Sequence, residues 1–165
     1  MFRPLLCLAL LVCSGIAAAQ DGNMNNARLD SLLRGVLESV EGEPGRWELQ
    51  LADTPMFCLT DENHDRMRII APVKELAQAT AQELADCLAA NFHTALDVRY
   101  AIADDLIWVA FIHPLSPLTE RQLYDALGQV RSAVVTFGTT YTSTDLVFPG
   151  AKRQEAKKKE NIRRL

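Results

Sequence analysis

The chain has 165 residues, 48% hydrophobic and 23% charged, which suits one globular domain with a real core and excludes a disordered composition. The formal net charge of −4 excludes the broadly basic surface of a nucleic-acid binder. The sequence shows no internal repeat and no sign of a second domain.

Residues 1–19 are read as a cleaved signal peptide: Arg3 is the positive region, Leu5 to Val12 the apolar region and Ala17-Ala18-Ala19 the small-residue cleavage site. The apolar run is short for a membrane anchor, which needs roughly 20 residues. Cys13 invites a lipoprotein reading, but Val12 stands where a small residue is needed. Export predicts an oxidising compartment, the periplasm of a Gram-negative cell. Cys58 and Cys87 remain after cleavage, and they are either one disulfide or two small buried thiols.

Residues 20–26 are polar and read as a flexible N-terminal segment. From 27 to 41, Leu29, Leu32, Leu33, Val36, Leu37 and Val40 fall at helical spacing behind the N-cap Asn26, and the run Glu41-Gly42-Glu43-Pro44-Gly45 ends the helix. Alternation of Trp47, Leu49 and Leu51 predicts a strand. Met56 to Leu59 predicts a second, and Met67, Ile69 and Ala71 mark one face of a third. Pro72 marks a break. A second helix is expected from Glu75, or from a cap at Thr80, to Asn91, burying Leu76, Leu84, Cys87, Leu88 and Phe92.

The stretch from Leu96 to Pro114 predicts a hairpin. Leu96, Val98, Tyr100 and Ile102 alternate with polar or small residues, Asp104 and Asp105 sit in the turn, and Leu106 to Ile112 is a nearly continuous apolar run. A hairpin alone is not stable in water, so helices must cover it. Thr119 and Gln122 form a capping box for a third helix to about Val135, with Leu123, Leu127, Val130 and Val134 inward and Gly138 as its stop. Thr139 to Phe148 is read as a final extended segment. The order α-β-β-β-α-β-β-α predicts an α+β fold, an antiparallel five-stranded sheet packed with helices, over residues 27–148.

This element order and several peptide runs carry a resemblance. The runs are Met67 to Pro72, Cys87 to Ile102, Leu106 to Thr119 and Thr136 to Ser143. Together they resemble the YbjN-like and type III secretion chaperone-like (CesT/Tir chaperone) fold group. The resemblance implies a compact α/β sandwich, often dimeric, that binds polypeptide and does no chemistry. Those chaperones act in the cytoplasm, whereas this chain carries an export signal.

No catalytic, metal or cofactor constellation is expected. His64, His93 and His113 are not at helical pair spacing, and no C-x-x-C, G-x-S-x-G or phosphate loop occurs. Asp61, Glu62, Asn63 and Asp65 lack the glycine and distal Glu of a calcium loop. Trp47, Tyr100, Trp108 and Phe111 are candidates for a protein interface or for the core. Trp108 and Phe111 have opposite strand parity, so one of them is expected on a partner or homodimer surface.

After Phe148 the composition changes. Residues 149–165 form a basic tail in which Lys152, Arg153, Lys157, Lys158, Lys159, Arg163 and Arg164 face only Glu155 and Glu160, a net +5. Residues 20–150 hold nine basic and 19 acidic residues, a net −10. The tail is a solvated end, an arm giving weak peripheral contact with anionic lipid, or a segment folded back on the acidic body. The overall expectation is an exported, non-catalytic module with a protein partner or client in the cell envelope. The alternative is an envelope surface protein tethered to anionic lipid by that tail.

Overall fold

The computed structural model describes residues 22–144. The expected signal peptide and the basic tail lie outside the described residues.

The order is α1 (Asn26–Val36), β1 (Ser39–Glu43), β2 (Arg46–Leu51), β3 (Thr54–Asp61), β4 (Arg66–Glu75), α2 (Ala81–His93), β5 (Val98–Ala103), β6 (Leu106–His113) and α3 (Glu120–Val135), with a 3-10 turn at Leu76–Gln78. The six strands form one antiparallel sheet in the order β1-β2-β3-β4-β6-β5. The α+β architecture is as the sequence predicts, with six strands where five were expected. The extra strand is β1, whose residues are almost all exposed and so show no apolar alternation. It is held by its hairpin with β2, closed at Pro44-Gly45, where Gly45 takes φ +108.

Alternation sorts the sheet into two faces. Trp47, Cys58, Ile69, Phe111 and Val98 stand side by side across β2, β3, β4, β6 and β5, and all are buried. The next rows on that face include Leu49 beside Met56, and Ala71 beside Val109 and Tyr100. Leu29 and Leu33 of α1, Cys87 and Ala90 of α2, and Leu123, Leu127 and Val130 of α3 complete the same core cluster. All three helices therefore lie on one face, in a two-layer sandwich.

The helix ends follow from local chemistry. Asn25, one residue before the expected cap, accepts from the Arg28 N–H and starts α1. Both Thr80–Glu83 and Thr119–Gln122 are full capping boxes, starting α2 and α3. The helix α1 stops at Val36, earlier than expected, because Val40 pairs with Leu49 instead of continuing the helical stripe. Pro72 does not break its strand. A register shift between Pro72 and Lys74 absorbs it, and β4 runs on to Glu75.

Two further expectations are corrected. Leu88 and Phe92 are 72% and 81% exposed, because the small residues Cys87 and Ala90 turn inward over β5. The described part of Thr139–Phe148 is not an added strand: Thr139–Thr144 folds back over the end of α2, with Ser143 N–H donating to the Thr94 carbonyl and its hydroxyl to that of Ala95.

Candidate functional site: the open face of the sheet

The face away from the helices carries side chains that no helix among the described residues covers. Glu48, Phe57, Ile70, Ala110 and Arg99 form one row across it, and Arg46, Leu59, Arg68 and Ile112 form the next. Trp108 stands beside Pro72 and Ala101 in a third. Phe57, Leu59, Ile70, Trp108 and Ala110 are half-buried by one another, and Ile112 is 62% exposed. The result is an apolar stripe over β3, β4 and β6. Charges flank and interrupt it: Glu41 and Glu48 are neighbours on the β1–β2 side, Arg68 stands between Leu59 and Ile112 on β4 with Arg66 beyond it, and Arg99 lies on β5.

Trp108 anchors the stripe. Its ring meets Phe57 edge-on with centroids 6.3 Å apart and an interplanar angle of 63°. The indole N–H donates to the Ala103 carbonyl at 3.1 Å, which fixes the ring while leaving a flank to solvent. Such a rigid, half-exposed aromatic is the kind of side chain that carries binding energy in protein interfaces. A shallow cleft lined by Leu59, Arg66, Arg68 and Ile112 continues the stripe toward the β3–β4 turn.

Of the four aromatic interface candidates, Trp108 alone is accessible. Trp47 is 0% exposed, and Tyr100 and Phe111 are 6% exposed, all on the helix-covered face. Trp47 donates to Asp30 of α1 at 2.7 Å, and Tyr100 donates its hydroxyl to the Ala133 carbonyl of α3 at 2.7 Å. These three are core residues, a correction that follows from their strand parity. Sequence reasoning singled out Trp108 but missed Phe57 and Ile70 beside it, since the order of strands in the sheet was needed to bring them together.

Cys58 and Cys87 are free and buried. The disulfide option fails on topology. The helix α2 packs on β5, while β3, which carries Cys58, lies three strands away, about 14 Å at the usual strand spacing. A disulfide needs Cα atoms within about 7 Å. Burial pushes the Cys58 thiol up to about 12 and the Cys87 thiol up to about 11, so neither is a nucleophile at neutral pH.

The histidines are dispersed. His64 pairs with Asp61 in the exposed β3–β4 turn, His113 stacks flat on Phe111, and His93 contacts Phe92 at the end of α2. The polar cleft beside His113 holds Asp97, Asp125 and Gln129, but neither His93 nor a cysteine. Among the described residues no group of three His, Cys, Asp or Glu side chains could hold a metal ion, and no helix is long and apolar enough to cross a membrane.

No family model and no curated protein sequence matches the chain. Solved structures do match. A chain of the HopA1–SchA chaperone–effector complex superposes with a TM-score of 0.53 at 13% identity, covering 66% of this chain and 88% of that one. The ExsC–ExsE complex gives 0.53 at 14% identity, over 67% and 92%. The Yersinia pestis type III secretion chaperone SycH, in complex with a fragment of YscM2, gives 0.52 at 17% identity, over 68% and 98%. The fold is type III secretion chaperone-like. At these identities the likeness is one of architecture, and it bears out the resemblance read from the element order.

Proposed function

We propose that this chain is an exported, non-catalytic protein-binding module of the cell envelope that holds a segment of a partner protein on the open face of its sheet. The observation that carries this reading is the contiguous apolar stripe of Phe57, Ile70, Trp108 and Ile112 on the sheet face away from the described helices. Contiguous exposed apolar surface is uncommon on a protein with no partner. The structures it resembles were solved as chaperone–effector and protein–fragment complexes, which supports a polypeptide as the occupant. The glutamates on the β1–β2 side and the arginines of β4 and β5 would orient that segment by charge. A homodimer, implied by the resemblance, would cover Leu88 and Phe92 of α2. Envelope location rests on the signal-peptide pattern of residues 1–19. The test is site-specific photo-crosslinking in the native host from position 112, with exposed position 77 as control. A discrete protein adduct from position 112, absent from position 77 and lost with Trp108→Ala, is expected.

A second reading is favoured by the charge asymmetry, +5 in residues 149–165 against −10 in residues 20–150. In it the tail holds the protein weakly on anionic lipid. Co-sedimentation with phosphatidylglycerol vesicles that is unchanged by deleting residues 151–165 would reject it.

A further inference from the structure

Both edges of the sheet are occupied by side chains reaching over from the helices. On β5, alternation in a two-residue hairpin turns the backbone of Val98, Tyr100 and Ile102 outward. Asn91 of α2 takes both outward groups of Tyr100 at once: its amide nitrogen donates to the Tyr100 carbonyl at 3.1 Å, and its amide oxygen accepts from the Tyr100 N–H at 2.8 Å. A side-chain amide has the donor and acceptor of a peptide unit, so Asn91 stands where a neighbouring strand would pair. Val98 is occupied too, its N–H donating to the Ala95 carbonyl and its own carbonyl accepting from Arg99. On the opposite edge, β1 turns Val40 and Gly42 outward, and Arg34 of α1 donates to both carbonyls, at 2.9 and 3.2 Å. Asp30 holds that guanidinium from behind at 3.0 Å.

An exposed sheet edge is a template for strand pairing between molecules, and native proteins block it. Here the blocking groups come from two different helices and meet the two different edges. We propose that Asn91 and Arg34 are edge guards, and that Asn91 in particular prevents β5 of one molecule from pairing with β5 of a second copy. With β5 opened, two copies meet antiparallel about a twofold axis, an arrangement that closes on itself. With β1 opened as well, each molecule has two free edges and assembly becomes open-ended. This inference is independent of what occupies the open face, and its failure would leave that reading untouched.

The test compares the full chain with its Asn91→Ala, Arg34→Ala and doubly substituted forms by light scattering over a concentration series, with amide exchange read in parallel. The expected result for Asn91→Ala is a doubling of mass beyond the parent's state as concentration rises, and the double variant continues to larger species. Under dilute conditions the Tyr100 amide of Asn91→Ala exchanges about tenfold faster, while that of Ala101, which is paired with Trp108, stays protected. Adding Ile102→Lys, a charge on the opened edge, returns the parent's mass. Asn91→Ser, also too short to reach the strand, serves if the alanine variant loses protection at Ala101. A folded Asn91→Ala or Asn91→Ser protein that keeps the parent's mass at every concentration overturns the proposal.

Discussion

Trp108 packs edge-on against Phe57 across β4, on the face that none of the described helices covers. Two aromatics from strands that are not neighbours thus form the centre of the open face, and Ile70 fills the strand between them. Replacing Trp108 by Ala removes the anchor of the stripe without opening the core. Partner affinity should fall at least about tenfold, in the range of an interface hot spot, while the melting temperature moves by only about 2–4 °C. Isothermal titration with the captured partner and thermal scans separate the two effects.

Trp47 shares its residue type with Trp108 and should behave in the opposite way. It is fully buried and donates to Asp30. Trp47→Ala should cost about 3–5 kcal/mol by core truncation. Trp47→Phe, which keeps most of the volume but removes the indole N–H that Asp30 accepts alongside Arg34, should cost about 1–3 kcal/mol. Denaturant titration of both variants measures these losses, and Trp108→Ala is the comparison.

Acid should weaken the fold through Glu83. Its carboxylate is held down to about 2 by the hydrogen bond from Lys74 first, then by the Thr80 backbone N–H and hydroxyl. A carboxyl whose folded pKa is depressed contributes stability that is complete above its unfolded value and is lost as pH falls through the folded one. The contribution is therefore present above about 4.5 and disappears between there and about 2. Glu83→Gln should melt below the parent at pH 7, and the two curves should converge near pH 2. Asp30, lowered by the Trp47 and Arg34 hydrogen bonds, adds to the acid loss in the same direction and is common to both proteins.

Neither thiol should oxidise with the other in the folded chain. Non-reducing peptide mapping of the folded chain after incubation with an oxidant should recover Cys58 and Cys87 unlinked. Thiol-reactive dye should label them only on unfolding, since burial raises both thiols far above neutral pH. A recovered Cys58–Cys87 crosslink would contradict the strand order.

The β5–β6 turn should accept stabilisation. Asp104 and Asp105 both hold positive φ, +48° and +59°, the pattern of a type I′ turn. Asp104→Asn with Asp105→Gly should raise stability by about 0.5–1 kcal/mol, because glycine enters the left-handed region without the Cβ penalty. A urea midpoint series is sufficient to see it.

The buried halves of this fold were legible because their signals are periodic. Trp47-Leu49, Met67-Ile69-Ala71 and Val98-Tyr100 alternate as strands, Thr119 announces its helix through a capping box, and Thr80 was one of two starts read for the second helix. The strand β1 was not legible. It is an edge strand with exposed side chains, held by backbone pairing and by Arg34, neither of which leaves a hydrophobic pattern. The outward turn of Leu88 and Phe92 was hidden for a related reason: Cys87 was read as inward, but Ala90 is small and a stripe drawn by size favours its larger neighbours. For the open face, parity separated Trp108 from Phe111, but the company Trp108 keeps depends on β6 lying beside β4, a fact of topology.

The most direct test of the account is photo-crosslinking from position 112 in the native host, with and without Trp108→Ala. A discrete adduct to another protein that depends on Trp108 and is absent from position 77 is the expected result. Adducts of equal yield from positions 112 and 77, indifferent to Trp108→Ala, would contradict the open face as the binding surface.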